Sequence, residues 1–329
     1  MLLEGHSCKE CPSHDRNVQT MDFRKLRYFA DVVEAKSISK AAESLHVAQP
    51  ALSKSIQSLE EELGAMLLQR SAKGVAMTEA GARLYEHCQI VFKQLDRARH
   101  DVRKSIERPS GVVAVGLPHS LMTVLALPLL QLTTARYPDV RLELKQDHTH
   151  LLGNDIRAGK LDFAVMAEPR SASGLQCQQL LKEELLFVGP ATADICDRQT
   201  HISFIDASVH EFILPSVGNG LRHTAEGHFR ARSLPLNVKY EVDAIALITQ
   251  CVQAGLGVSL LPGGCIRMDA DQGRIRAMPF AEGGCHRTIV LCQAAEAALS
   301  PAAATVIAIV EEAARELVTG GQWLGARLA

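Results

Sequence analysis

Aromatic residues are scarce: one tryptophan, four tyrosines and nine phenylalanines make up 4% of 329 residues. A protein that binds single strands by stacking bases on rings needs more of them, so that class is set aside. Nowhere does the chain offer the roughly 18 consecutive apolar residues that a membrane-spanning helix requires, and no membrane partner is expected. Net charge is also small, with 35 Lys+Arg against 37 Asp+Glu. Enzyme signatures are missing as well. There is no Gly-x-Ser-x-Gly elbow and no phosphate loop, and GLGVSLLP lacks the third glycine and following helix of a dinucleotide fingerprint. Neither catalysis nor a cofactor is expected. No secretion signal precedes the nine cysteines, so they are expected to be reduced, in a cytoplasmic protein. Cys88, Cys251 and Cys292 lie in apolar runs and suit small core positions.

What is present is organised around residues 38–63, ISKAAESLHVAQPALSKSIQSLEEEL. Leu52, Ile56, Leu59 and Leu63 step by four, three and four, which predicts one buried face of a helix. Gln49, Ser53, Lys54 and Gln57 then fall on the wet face, with Pro50 in the first turn, where its missing N–H costs nothing. Ala41, Ala42 and Leu45 form the inner face of a preceding helix, and small alanines permit a close crossing. Only His46 and Val47 separate the two, and His accepts a left-handed backbone more readily than most residues. The pattern predicts a helix-turn-helix that offers its second helix to a DNA groove. An amphipathic pair in an all-α core would show the same stripe, but its exposed face would favour Glu and Lys over base-reading amides and hydroxyls.

A chain of 329 residues with 47% hydrophobic content suits two or three domains. Residues 21–108 hold 15 Lys+Arg and 12 Asp+Glu, whereas 109–329 hold 18 and 22. The DNA end is therefore only weakly basic, and several copies are needed to multiply the phosphate contacts.

From Met21 the sequence resembles the N-terminal domain of LysR-type transcriptional regulators. The likeness covers Leu26, Tyr28 and Phe29 of an opening helix, the AA..LH turn, the QPALS helix, the LE.ELG exit and TEAG. It implies double-stranded DNA with a two-fold symmetric operator as partner, and RNA polymerase as a further possible one. It also implies DNA contacts from Ser39, Gln49, Pro50, Ser53, Lys54 and Gln57, with Arg70 and Lys73 on a β-wing reaching phosphate or minor groove. Two residues depart from the pattern. Ala48 replaces the usual hydroxyl before Gln49, and Lys54 replaces the commoner Arg, whose fork to guanine Lys does not reproduce. Some members sense peroxide through a cysteine pair, but Cys177, Cys196, Cys265 and Cys285 lack its close spacing.

Residues 1–20 precede the family's usual start and read as a disordered leader. His6, Cys8, Cys11 and His14 have the spacing for zinc, but one short cluster without a folded partner is no expected metal site. The domains are thus expected at 21–78 for a winged helix-turn-helix, 79–108 for a long linker helix and 109–329 for an effector-binding domain. Thr78 is a plausible N-cap for the linker. Leu84, Cys88, Val91, Leu95, Ala98, Val102 and Ile106 trace a near-heptad seam between charged flanks, which predicts a dimerising helix. The resemblance implies a homodimer that pairs further into a homotetramer.

After Pro109, Ser110 and Gly111 the pattern becomes an alternation of strands and helices. One series runs from 112 to 166 and a second from 185 to 262, closed by TIVLCQ (288–293) and a helix near 301–317, which predicts a mostly parallel sheet. The α/β fold expected is two lobes around a cleft. LLxxxIRAGKLDFAV and VQAGLGVSLLP resemble the family's periplasmic-binding-protein-like effector domain. The ligand belongs at strand ends, near helix N-termini. Ser120 and Thr149 are expected there, either as ligand contacts or only as N-caps of their own helices. From the other lobe, Ser216, Asn219 and Gly220 form a loop able to close on an anion. His119, His148, His150 and Arg222 are further candidates. A small organic anion is the effector class expected, and the chain as a whole is nearest in character to regulators of nitrogen assimilation.

Overall fold

A computed structural model describes residues 22–71, 74–102, 109–191, 200–281, 283–295 and 298–329. The chain packs as two units, Met1–Phe92 and Lys93–Ala329.

In the first unit, α1 (Phe23–Ala35) starts at Asp22, whose side chain accepts from the Arg24 amide at 2.9 Å, and ends at left-handed Lys36. Helix α2 (Ile38–Ser44) is capped by Ser37, and α3 (Gln49–Leu63) follows after a four-residue turn in which His46 has φ of 54°. The expected stripe is buried at Leu52, Ile56 and Leu59, which pack with Phe29, Val32 and Ala41. Strands β1 (Leu68–Ser71) and β2 (Gly74–Met77) form the antiparallel wing. Lys73 and the side chain of Arg70 lie outside the described residues.

Helix α4 (Glu79–Val102) follows. Thr78 caps it, accepting from the Gly81 amide at 3.0 Å while donating to the Met66 carbonyl at 2.7 Å. TEAG thus has a physical reading. A Cβ on Gly81 would lie 2.0 Å from the Leu67 carbonyl oxygen, so only glycine lets the helix pass this close to the wing. Along the seam, Cys88 is buried and Leu84 packs beside it, whereas Val91 and Leu95 are exposed at 41% and 39%. The side chains of Ala98 and Val102, and all of 103–108, lie outside the described residues.

The second unit opens with β3 (Gly111–Leu117), α5 (His119–Arg136), β4 (Val140–Gln146), α6 (Thr149–Arg157) and β5 (Phe163–Ala167). Strand β6 (Leu175–Pro190) then runs through two cores: Leu181 packs in the first lobe with Val115, Leu125 and Ile309, and Leu185–Val188 pack in the second with Phe204, Phe212 and Phe229. The second lobe continues with α7 (Phe204–Ser208), β7 (Phe212–Leu214), α8 (Gly220–Ala231), β8 (Val238–Glu241), α9 (Ile245–Gln253), β9 (Ser259–Pro262), α10 (Gly263–Asp271) and β10 (Ile275–Met278). Strand β11 (His286–Ala294), α11 (Pro301–Thr319) and β12 (Ala326–Leu328) return to the first.

Two expectations are corrected here. The sheet is mixed rather than mostly parallel: β3 pairs in parallel with β4 and β5, but β11 runs antiparallel to β5 and β6, and β9, β10 and β12 are antiparallel to β6. A strand returning from the other lobe, and not through a covering helix, is free to enter in the opposite sense. The cysteines are not all reduced. Cys177 and Cys292 face each other in the β6–β11 register, with Cα atoms 4.2 Å apart, and form a disulfide.

Candidate DNA interface and ligand-binding cleft

On α3, Gln49, Pro50, Lys54 and Gln57 are exposed and Ser53 is half-buried; Ser39 on α2 is also exposed. Gln57 donates to Glu61 at 3.0 Å. Ala48 is the N-cap residue and supplies no side-chain bond, so no hydroxyl or carboxylate masks the start of this helix. Two contacts hold its other end. Lys25 reaches Ser58 at 3.0 Å and Glu62 at 3.1 Å, and buried Glu60 accepts from the Leu67 and Leu68 amides at 2.8 and 3.1 Å. Glu60 therefore ties the wing to the helix through α3's buried face.

In the second unit a cavity of about 220 Å³ lies where several helices begin: His119 and Ser120 of α5, His148 and Thr149 at α6, Asn219 and Gly220 at α8, and Asp243 and Ile245 at α9. Helices α5, α6 and α9 start at Pro118, His148 and Ala244 without a side-chain cap. Their first N–H groups and the positive ends of their dipoles are what an anion needs.

The N-cap reading of Ser120 and Thr149 is corrected, because α5 begins two residues earlier, and α6 one residue earlier, than a cap at that hydroxyl requires. Ser120 is buried, and its hydroxyl accepts instead from Arg287 Nη2 at 3.0 Å. Arg287 pairs with Glu183, Nε and Nη2 reaching Oε2 at 2.7 and 2.5 Å, and Trp323 Nε1 donates to Glu183 Oε1 at 2.7 Å. Beneath them, Cys265 donates to the Ser120 carbonyl at 3.2 Å. Burial first, and then the Glu183 charge, push its thiol well above the ordinary range, so Cys265 is a neutral support.

Of the expected cleft residues, His119, Ser120, His148, Thr149, Asn219 and Gly220 line the cavity. Asn219 accepts from the Leu221 amide at 2.9 Å, capping α8. Ser216 and Arg222 do not line it. The Ser216 hydroxyl donates to Asp243 at 2.9 Å, and Arg222 is spent on Glu226 at 2.6 Å and Glu241 at 3.5 Å. His150 stacks on His148 with ring centroids 6.0 Å apart and faces a neighbouring cavity. Two carboxylates border the site but are engaged: Asp147 accepts from the His148 amide at 2.9 Å, and Asp243 holds Ser216. Arg287 and Glu183 escape a reading of the sequence by periodicity. The available signal was weak: Glu183 sits in the charged run of LLKEELLFV and Arg287 beside the polar start of HRTIVL, each next to an apolar stretch.

No group of three or more His, Cys, Asp or Glu side chains able to hold a metal occurs among the described residues, and no described helix is long and apolar enough to cross a membrane.

Comparison with known proteins finds relatives of both units. Residues 23–82 match the bacterial regulatory helix-turn-helix proteins of the lysR family, and residues 107–315 match the LysR substrate binding domain. The nitrogen assimilation regulatory protein nac of Escherichia coli is 35% identical over 248 residues, 75% of this chain and 80% of that protein. An HTH-type regulator of Bacillus subtilis, YybE, is 29% identical over 87% of this chain and 96% of its own length. Among solved structures, full-length CbnR in complex with its target DNA superimposes with a TM-score of 0.66 at 20% identity, covering 90% of this chain and 99% of that one. Full-length BenM superimposes with a TM-score of 0.55 at 25% identity, covering 93% and 99%. With a helix-turn-helix at one end and a two-lobed ligand-binding domain at the other, this chain belongs to the LysR family of DNA-binding transcriptional regulators.

Proposed function

We propose that a small organic anion, held at the uncapped starts of α5 and α6, shifts this regulator between two DNA-bound geometries. The observation that carries the reading is the convergence of those helix starts on one 220 Å³ cavity, with the Ser120 hydroxyl anchored by Arg287. Ser120, Thr149, His119, Asn219 and Gly220 contact the ligand; Gln49, Ser53, Lys54 and Gln57 read bases in a two-fold operator, with Arg70 and Lys73 on phosphates. Copies pair through the exposed seam of α4 at Val91 and Leu95, as a homodimer or homotetramer acting in the cytoplasm. The ligand moves the equilibrium by no more than its differential affinity for the two geometries.

The test is footprinting of the full-length protein on the DNA upstream of its own gene, with and without short-chain carboxylates. A two-fold protected site whose extent changes with one carboxylate is expected. An unchanged footprint with a carboxylate bound, shown by calorimetry, refutes the coupling.

A further inference from the structure

Behind the small cavity lies a larger one of about 530 Å³, sharing only Thr149, Gly220 and Arg287 with it. The small cavity falls below the roughly 300 Å³ at which drug-sized ligand sites begin, and the larger one lies well within that range. Its polar groups are arranged differently. Arg157 donates to the Ser173 and Ser171 carbonyls at 2.8 and 3.3 Å and to Asn154 at 3.3 Å, all neutral acceptors. Arg170, from the segment after β5, donates to His223 Nδ1 of α8 at 2.7 Å. Two guanidinium groups thus border the cavity without a carboxylate partner among the described residues, while the third, Arg287, is neutralised by Glu183. Ala167, Pro169 and Leu175 supply aliphatic wall between them. Glu168 is the single carboxylate at the border, so the two cations exceed it by one.

We propose that this cavity is a second ligand site, for an organic anion with an apolar body too large for the chamber at the helix starts. Its carboxylate is held by Arg170 and Arg157, and its body lies on the aliphatic wall. The Arg170–His223 contact joins the two lobes, so an occupant that recruits Arg170 acts on lobe arrangement from this side. Arg287 and Thr149 stand between the two chambers, and each ligand meets the same dividing wall. The inference does not depend on which small anion fills the first chamber.

The test is calorimetry of 2-naphthoate binding to the full-length protein. Arg170→Glu changes an exposed residue, and Thr224→Leu fills the larger chamber from a half-buried helical position. His119→Trp fills the smaller chamber alone. Saturable binding is expected, weakened at least about tenfold by Arg170→Glu and Thr224→Leu but less than about twofold by His119→Trp. Loss through His119→Trp alone would place the probe at the helix starts, overturning the second site while leaving the first intact. Absence of saturable binding to the wild-type protein below about 10 mM would overturn it outright.

Discussion

Arg287→Met should be among the most costly single changes in the ligand-binding unit. Glu183 is fully buried and the Arg287 side chain is 5% exposed, so removing the guanidinium leaves a carboxylate in the core with only the Trp323 indole N–H on it. Breaking a buried pair from one side costs about 3–5 kcal/mol, because the remaining charge is stranded. Removing both charges is different. Arg287→Met with Glu183→Leu leaves the Trp323 N–H and Ser120 hydroxyl short of a partner, at about 1–3 kcal/mol for such a group, so the double variant should be more stable than Arg287→Met alone. The protein carries its own reporter: Trp323 is its single tryptophan, is 1% exposed and sits in this network. Urea unfolding followed by its fluorescence should show the midpoint for Arg287→Met lower by roughly 1 M or more, at an m of about 3 kcal/mol/M, with partial recovery in the double variant. A single-variant loss under about 1 kcal/mol, or a double variant worse than both singles, would refute the account of a buried pair.

Other predictions concern both units. Ala48→Ser should stabilise the first unit by only about 0.5 kcal/mol, the low end for a cap. The usual recipients of its hydroxyl are Pro50, which has no N–H, and Ala51, whose amide already reaches the Ala48 carbonyl at 3.0 Å. Its larger effect should appear as tighter DNA binding in a mobility-shift titration; a gain of 1.5 kcal/mol in chemical denaturation with unchanged DNA affinity would reverse that reading. Gly81→Ala should destabilise the same unit by more than about 2 kcal/mol, since backbone and not a side chain blocks the new methyl; amide exchange across α4 would detect it, and wild-type protection would count against the fit. Iodoacetamide at pH 8 should spare Cys88, whose thiol burial pushes up to about 11, and Cys285, pushed to about 12, while the native fold persists. Raised values mean less thiolate at any given pH, so labelling of either faster than a free thiol would be decisive against it. Leu95→Glu should shift the oligomer to smaller species in sedimentation at unchanged helicity, and an unaltered sedimentation coefficient would remove the seam from the interface.

Much of the first unit is legible in the sequence because its information is local. The stripe at Leu52, Ile56 and Leu59, the left-handed His46 and the Thr78 cap each depend on neighbours within a few positions. Glu60 is not legible in this way: in sequence it belongs to an acidic run, and only the returning wing brings it the Leu67 and Leu68 amides. The cleft shows the same division. The βα boundaries locate its rim, but of the two roles open to Ser120 the N-cap fails, although a serine at a helix start usually is one. Its true partner arrives from β11, 167 residues later in the chain. Ser216 and Arg222 carry suitable chemistry and lie near the rim, yet Asp243, Glu226 and Glu241 consume it. Local pattern finds the elements, and long-range pairing decides which polar groups remain available to a ligand.

The seam of α4 joins these two kinds of information. One near-heptad stripe was expected to serve one partner, but its occupants diverge along the helix: Leu84 and Cys88 are part of the winged unit's own core, and only from Val91 does the apolar edge stand open. A single continuous periodicity thus continues one hydrophobic surface from intramolecular packing to a face available for a second copy. Cys88, Leu84 and the Gly81 contact with Leu67 tie the start of this helix to the core that holds the recognition helix. The weak basic excess of residues 21–108 makes one winged unit a poor DNA binder, so affinity depends on two units held at the correct separation. In the proposed dimer this helix is both core and interface, and it sets that separation.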